Sequence, residues 1–370
     1  MSSTHIQSPE RALATLPPPL VTGTIPTALA PMQDVTTLPF MRVLKKYGVP
    51  DTFFTEYFRV YPNSRLDKHI LQSITESETG RPVVAQLLGN SLPDIRRIVR
   101  ALEPYPIAGI DLNVGCPAPK IYKNHAGGGL LRNLDLLDSI LGTLRDSVRH
   151  GTFSVKIRVG FDSFEPFEPT LALVEKHGAD LLTIHARTVA ESYRGEPHYD
   201  LIRHAANSLR CPVYANGNIT SAAKARHVVD STGCAGVMIG RSAIRNPWIF
   251  RQIREFSKGE PIFQPTLADV HAYIRDLFEI CCGGIERERS AINHLKKFVN
   301  FVGQSVDPRT RFIKAMRRCH TETEFFEVCE EHLLADGNAQ LPFSIEPYSG
   351  VVARPNCEDG SVVKIEPCRL

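Results

Sequence analysis

Between residues 27 and 255 the chain alternates short apolar runs with longer stretches whose apolar residues recur at helical spacing. The runs are Ala28–Met32, Thr52–Tyr57, Val83–Leu88, Ile107–Asn113, Ser154–Val159, Leu181–His185, Val213–Asn216 and Gly236–Gly240, each the length of a strand. Between them the period changes: Leu134, Leu137, Ile140, Leu141, Leu144 and Val148 fall on one helical face. Ser91-Leu-Pro-Asp94 offers a hydroxyl cap, a first-turn proline and an acid at the positive end of the helix dipole. Gly178 and Gly233 sit where helices end before the next strand. Eight strand-then-helix units in about 225 residues predict an α/β protein built on a parallel (β/α)8 TIM barrel. The alternative, a doubly wound open sheet, lacks its usual G-x-G-x-x-G turn after the first strand.

The pattern changes at both ends. From Pro265 to Gln340 apolar stripes persist (Ile274, Leu277, Phe278 and Cys281, then Ile292, Leu295, Phe298, Val299 and Val302) without strand-like runs between them. They predict a smaller C-terminal helical domain over residues 256–345, after a barrel over 27–255. Residues 1–26 are rich in Pro, Ser and Thr and read as a flexible extension, and 346–370 as an irregular tail. A chain of 370 residues with 42% hydrophobic content has the material for a large core.

Composition adds little until charge is mapped. The net charge of +3 is small, but Arg287–Arg318 holds nine Lys or Arg against Glu288 and Asp307, a candidate anionic-partner surface. The nine cysteines form no C-x-x-C pair, which argues against zinc or an iron–sulfur cluster and for a reducing compartment. No metal is expected. No apolar run approaches the roughly 18–20 residues that span a bilayer, and no signal pattern opens the chain. A cytoplasmic protein without membrane contact, working as a monomer, is the expectation.

The chemistry gathers at the carboxyl ends of the expected strands, where barrel enzymes carry their sites. Strand one ends in Ala30-Pro31-Met32, strand three at Gln86, strand four in Asn113 with Cys116, strand five in Lys156 and Arg158. Strand six ends in His185 and Arg187, strand seven in Asn216-Gly217-Asn218, strand eight in Gly240-Arg241. Cys116, bracketed by Gly115 and Pro117, is either core filler or chemistry, and its neighbours in that mouth favour chemistry. The loops after the last two strands offer glycines, backbone N–H groups and a guanidinium where barrels commonly hold a phosphate. With Lys156 and Gln86 across the mouth, the corner suits flavin mononucleotide (FMN), the lysine at the N1/O2 edge and the amide at the pyrimidine edge.

These residues spell a family. Ala30-Pro-Met32 with Val35-Thr36, Asp111-Leu-Asn-Val-Gly-Cys-Pro117, Gly127-Gly-Gly129-Leu-Leu131 and Val155-Lys-Ile-Arg158 recur in order with His185-Ala-Arg-Thr188, Tyr193-Arg194, Ala215-Asn-Gly-Asn218 and Met238-Ile-Gly-Arg241. Together they resemble the tRNA-dihydrouridine synthases over roughly residues 27–255. Thr55-Glu-Tyr-Phe-Arg-Val60, Gln86-Leu-Leu-Gly89 and His294-Leu-Lys-Lys297 look most like the bacterial C-type subgroup. The chain departs from the pattern at Val35-Thr36-Thr37, where many members read Val-Thr-Asp, and at Pro39, which is expected to interrupt the following helix.

The resemblance implies that a reduced flavin gives hydride to C6 of a uracil in tRNA while an acid on the opposite face, Cys116, protonates C5. It implies that Pro31, Met32, Gln86, Lys156, His185, Asn216, Gly217, Asn218, Gly240 and Arg241 hold FMN. Asn113 and Arg187 would hold the uracil, with Tyr193 near the ribose or a neighbouring base. Arg287, Lys296 and Lys297 would meet RNA phosphates, and NADPH would reduce the flavin. Two rivals compete: an FMN barrel acting on a free pyrimidine, like dihydroorotate dehydrogenase, and a catalytically silent RNA-binding barrel. The first does not use the basic helical block, and the second does not need Cys116 and Lys156. Which uridine is modified is not legible in the sequence.

Overall fold

A computed structural model describes residues 23–353. Most of the expected N-terminal extension and of the expected tail, with Cys357 and Cys368, lies outside the described residues.

Among the described residues nine strands form: β1 (Thr27–Leu29), β2 (Thr52–Phe54), β3 (Phe58–Val60), β4 (Val83–Gly89), β5 (Gly109–Val114), β6 (Thr152–Arg158), β7 (Leu181–His185), β8 (Val213–Asn216) and β9 (Gly236–Ile239). All pair in parallel, and β1–β2–β4–β5–β6–β7–β8–β9 closes on itself through the β9–β1 ladder. The result is a closed eight-stranded barrel, with β3 as a short extra strand on β4. The ninth strand arises where the run at 52–57 breaks. β2 pairs with the first half of β4 and β3 with the second half, Phe58 opposite Leu87 and Val60 opposite Gly89. Between them the Thr55 hydroxyl accepts the Gln86 N–H at 3.2 Å, standing in for a ladder carbonyl.

Helices cover the outside, and their ends follow the local chemistry with two differences. Pro39 does not interrupt a helix. It sits in the first turn of Leu38–Tyr47, where its missing N–H has no partner to lose. Ser91 precedes the helix Leu92–Leu102, but its hydroxyl donates to Asp94 at 2.5 Å instead of accepting a backbone N–H. The last helices, Leu267–Leu277, Glu288–Val302, Arg311–Arg318 and Glu322–Leu333, form a bundle. It docks through Tyr47, whose hydroxyl donates to Asp276 at 2.6 Å and whose ring meets Trp248 and Tyr273 edge-on, and through Phe40 against Phe298.

Strand alternation decides what fills the barrel. Ala28, Phe54, Val84, Leu181, Tyr214 and Met238 form a small apolar cluster apart from the main core. Above it the inward positions turn polar: Gln86, Asp111 and Ser154, all fully or almost fully buried. The Ser154 hydroxyl donates to Asp111 at 2.6 Å, and the Gln86 amide donates to the other Asp111 oxygen at 2.7 Å. A buried polar layer is tolerable only when its members are paired, and here each of the three is.

Candidate active site

Asn113 is next above that layer on β5, and one chain of hydrogen bonds ties it to the cysteine loop. Its Nδ2 donates to Gln86 Oε1 at 2.8 Å, while its Oδ1 accepts the N–H groups of Gly115 at 3.1 Å and Cys116 at 2.9 Å. Counting donors, one Nδ2 hydrogen remains for a ligand. The Cys116 carbonyl accepts from Gly128 at 3.2 Å, so the glycine run packs directly beneath the loop. Burial pushes the Cys116 thiol above its ordinary value, although a backbone N–H at Ala118 and the cations Arg158, Lys156 and Arg59 pull the other way. The group is a protonated thiol at neutral pH with cations ready to stabilise its anion.

Two cavities meet over the barrel mouth. One, about 400 Å³, is lined by Cys116, Asn113, Tyr57 and Arg158. The other, about 280 Å³, is lined by Asn216, Gly217, Asn218, Thr220, Gly240 and Arg245. Pro31, Met32, Lys156, His185, Tyr193 and Arg241 line both, so the two form one continuous site of ordinary ligand-pocket size. Burial, with Arg158 nearby, lowers the Lys156 ammonium to about 8. Burial and the surrounding Arg158, Lys156, Arg187 and Arg241 push His185 well below its usual range, leaving a neutral imidazole. The guanidinium carbons of Arg241 and Arg158 lie 4.4 Å and 5.4 Å from the centroid of the Tyr193 ring.

The smaller cavity suits an anion. Gly217 has φ +119° and a Cβ there would crowd the His185 ring at 3.2 Å, so only glycine fits that turn. Arg245 is 2% exposed, its Nη2 bonds the carbonyls of Thr220 and Ile345, and its Nε finds no partner among the described residues. A buried guanidinium with a donor to spare, beside Arg241 and Lys156, is what a phosphate needs.

Most of the expected site residues do meet here, but three are placed otherwise. Gln86 does not end its strand: β4 runs on to Gly89, and Gln86 lies in the polar layer with both ends of its amide engaged. Arg187 lines neither cavity. It is 1% exposed and donates through Nε and Nη2 to the carbonyls of Arg194 and Gly195, while its Nη1 lies 3.3 Å from His185 Nε2, so it holds the loop that carries Tyr193 and braces the imidazole that lines both cavities. Arg187→Leu is expected to cost about 2–4 kcal/mol by unpairing those carbonyls and to expose residues 188–196 to limited proteolysis. A wild-type melting temperature and cleavage pattern would refute that role. Lys296 donates to the carbonyls of Arg317 and Cys319 and so fastens one helix end, whereas Arg287 and Lys297 are exposed.

Sequence reasoning missed Tyr57, Arg245, Phe301, Gln304 and Pro347, and noted Arg158 without giving it a role. Arg158 lies two residues past Lys156 on the same strand face, and Arg245 one helical turn past Arg241, so spacing alone pointed to both. Phe301, Gln304 and Pro347 come from the helical appendage and its tail, and no local pattern marks them as lining a barrel mouth.

Comparison with known proteins bears on the chemistry. The model of the dihydrouridine synthase (Dus) family matches residues 28–336. A tRNA-dihydrouridine(16) synthase of Neisseria meningitidis serogroup A is 30% identical over 296 residues, 78% of this chain and 89% of the relative. A tRNA-dihydrouridine synthase B of Pasteurella multocida is 32% identical over 294 residues, 78% and 86%. Relatives of both names match at like identity, which leaves the subgroup undecided. Histamine dehydrogenase from Rhizobium sp. 4-9 superposes with a TM-score of 0.50 at 14% identity, over 72% of this chain and 51% of that one, a likeness of fold alone.

Proposed function

Since the chain belongs to the dihydrouridine synthase family, whose cofactor is a flavin, we propose that it reduces the C5=C6 bond of a uridine in tRNA with FMN in the continuous mouth and NADPH as the reductant. The observation that carries this reading is a protonated, half-buried thiol sharing one cavity with Lys156, His185 and Arg241, beside a corner built for a phosphate. Bound there, a reduced flavin supplies the hydride.

The chain's own residues do the rest. Cys116 holds a proton at neutral pH and gives it to C5, and the nearby cations stabilise the thiolate left behind. Asn113, with its single spare N–H, donates to a uracil carbonyl. Asn216, Gly217, Asn218, Gly240, Arg241 and Arg245 take the phosphate end, and Lys156 faces the electron-rich ring edge. His185, being neutral, offers a hydrogen bond without adding charge. Purified protein should be yellow, and tRNA treated with it and NADPH should yield uridine nucleosides heavier by about 2 Da, the two added hydrogens. A free pyrimidine reduced in place of tRNA would overturn the reading. The relative named for position 16 makes that uridine the first to examine.

The base must be turned out of its stack at a cost of a few kcal/mol, which contacts elsewhere on the RNA offset. Arg287, Lys297, Arg309, Arg311 and Lys314 are exposed on the bundle, and Lys297 stands 4.0 Å from Asp34 in the first barrel loop. Lys297→Glu is expected to weaken tRNA binding and reduce the salt slope of its affinity by about 1, with flavin content unchanged. Lys296→Glu, by contrast, should lower stability, because two backbone carbonyls lose their donor. Thermal melts and binding titrations at several salt concentrations separate the two; an unaltered slope for Lys297→Glu would remove it from the RNA surface.

A further inference from the structure

The chain folds back after its last helix. The Tyr348 N–H donates to the Gln304 carbonyl at 2.8 Å, and Gln304 Nε2 donates to the Val351 carbonyl at 3.0 Å. The Ser305 hydroxyl donates to the Glu346 carbonyl at 3.1 Å, and Arg317 Nη2 reaches the carbonyls of Val352 and Ala353 at 3.3 and 3.1 Å. Val351 and Ala353 are about 5% exposed. Ile345–Ala353 is thus a seated segment, fastened along its length by side chains of the helical appendage.

What it covers is the anion corner. Phe301, Gln304 and Pro347 line the same 280 Å³ cavity as Gly217, Asn218 and Arg241. Arg245 joins the two parts: one Nη2 bonds Thr220 of the barrel at 2.7 Å and Ile345 of the segment at 2.9 Å, and the Glu346 carboxylate also acts on it. We infer that Ile345–Ala353, seated on Gln304 and Ser305, forms with Phe301 the outer wall of the flavin's phosphate site, so that cofactor retention depends on residues outside the barrel. The inference rests on the flavin reading above. A wall held against one end of a bound ligand slows its release, so weakening the fastenings acts on the rate of release.

Arg317 tests this at a distance, since it fastens the segment but does not line the cavity. Flavin release is followed by fluorescence on dilution for the full chain, for Arg317→Gln, for Gln304→Ala and for a chain ending after Ser344, with circular dichroism reporting the fold. Each variant should release FMN about tenfold faster or more than wild type. Wild-type release rates in both folded point variants would overturn the inference while leaving the flavin reading standing. A wild-type chain that binds no FMN would overturn both. If the shortened chain does not fold, the two point variants decide.

Discussion

Cys116→Ala is expected to fold, to keep its flavin and to lose about 10²- to 10⁴-fold in turnover, the usual cost of removing a general acid. The thiol is no part of what holds the loop together: Asn113 binds the backbone N–H of residue 116, and Gly128 donates to its carbonyl. Both bonds survive the substitution, so a loss of rate reports on the proton and not on the loop. Burial keeps the thiol protonated while Arg158, Lys156 and Arg59 lower the cost of its anion, which suits a group that must give up a proton once per turnover. A nucleophilic cysteine needs the opposite balance, a thiolate at rest. Single-turnover reoxidation of the reduced flavin by uridine-containing tRNA is the measurement, and an undiminished rate for the alanine variant would exclude Cys116 as the acid.

The barrel was legible because each strand is a short apolar run before a turn, and parallel closure needs little else. Mouth residues such as Asn113, Lys156, His185 and Asn216 were legible because strand ends are where a barrel puts chemistry. Gln86 reads as a strand end because it is the polar residue of its run, although the apolar run goes on to Leu88 and the strand to Gly89. In this lumen the polar residues lie inside: Asp111 and Asn113, then Ser154, Lys156 and Arg158, alternate with apolar residues facing the helices. That reverses the usual assumption for a strand, and only the pairing of side chains across strands reveals it. The places of Arg187 and Lys296 were hidden for a related reason. A cation in sequence advertises charge, yet each of these gives donors to backbone carbonyls of a neighbouring segment, which depends on contacts between residues 7 to 23 apart, and Arg187 keeps only its Nη1 for the mouth residue His185. The described part of the tail has no helix or strand, yet nothing in its sequence marks where it sits, since Ile345–Ala353 owes its place to carbonyls that any sequence has.

Asp111 tests the buried layer, and its two substitutions should part company. An ionised carboxylate only accepts hydrogen bonds. Gln86 must therefore turn its Nε2 toward Asp111 and its Oε1 toward Asn113. Asn113 must then give its Nδ2 to Gln86 and its Oδ1 to the N–H of Cys116. One charge at the bottom of the barrel thus sets the Gln86 amide from below, while the backbone N–H groups of Gly115 and Cys116 set the Asn113 amide from above, and the two agree. Asp111→Ala leaves Gln86 and Ser154 without an acceptor, at about 1–3 kcal/mol for each buried group, and frees the Gln86 amide to turn away from Asn113, whose Nδ2 then loses its acceptor. A roughly tenfold to hundredfold fall in turnover should accompany the lost stability. Asp111→Asn can keep its oxygen toward Gln86 and give its amide to the Ser154 hydroxyl, preserving the direction, so it should restore most of the activity. The pH dependence runs the same way. Burial raises the Asp111 carboxyl to about 6, above its unfolded value of roughly 4, so between these pH values the folded chain binds more protons. Stability from this group is present below about pH 4 and lost as pH rises through about 6. Relative to Asp111→Asn, the wild type should therefore lose about 1–3 kcal/mol across that window. Urea midpoints at pH 4, 5 and 7 measure it, and a difference that does not change with pH would show that Asp111 carries no buried charge and sets no direction.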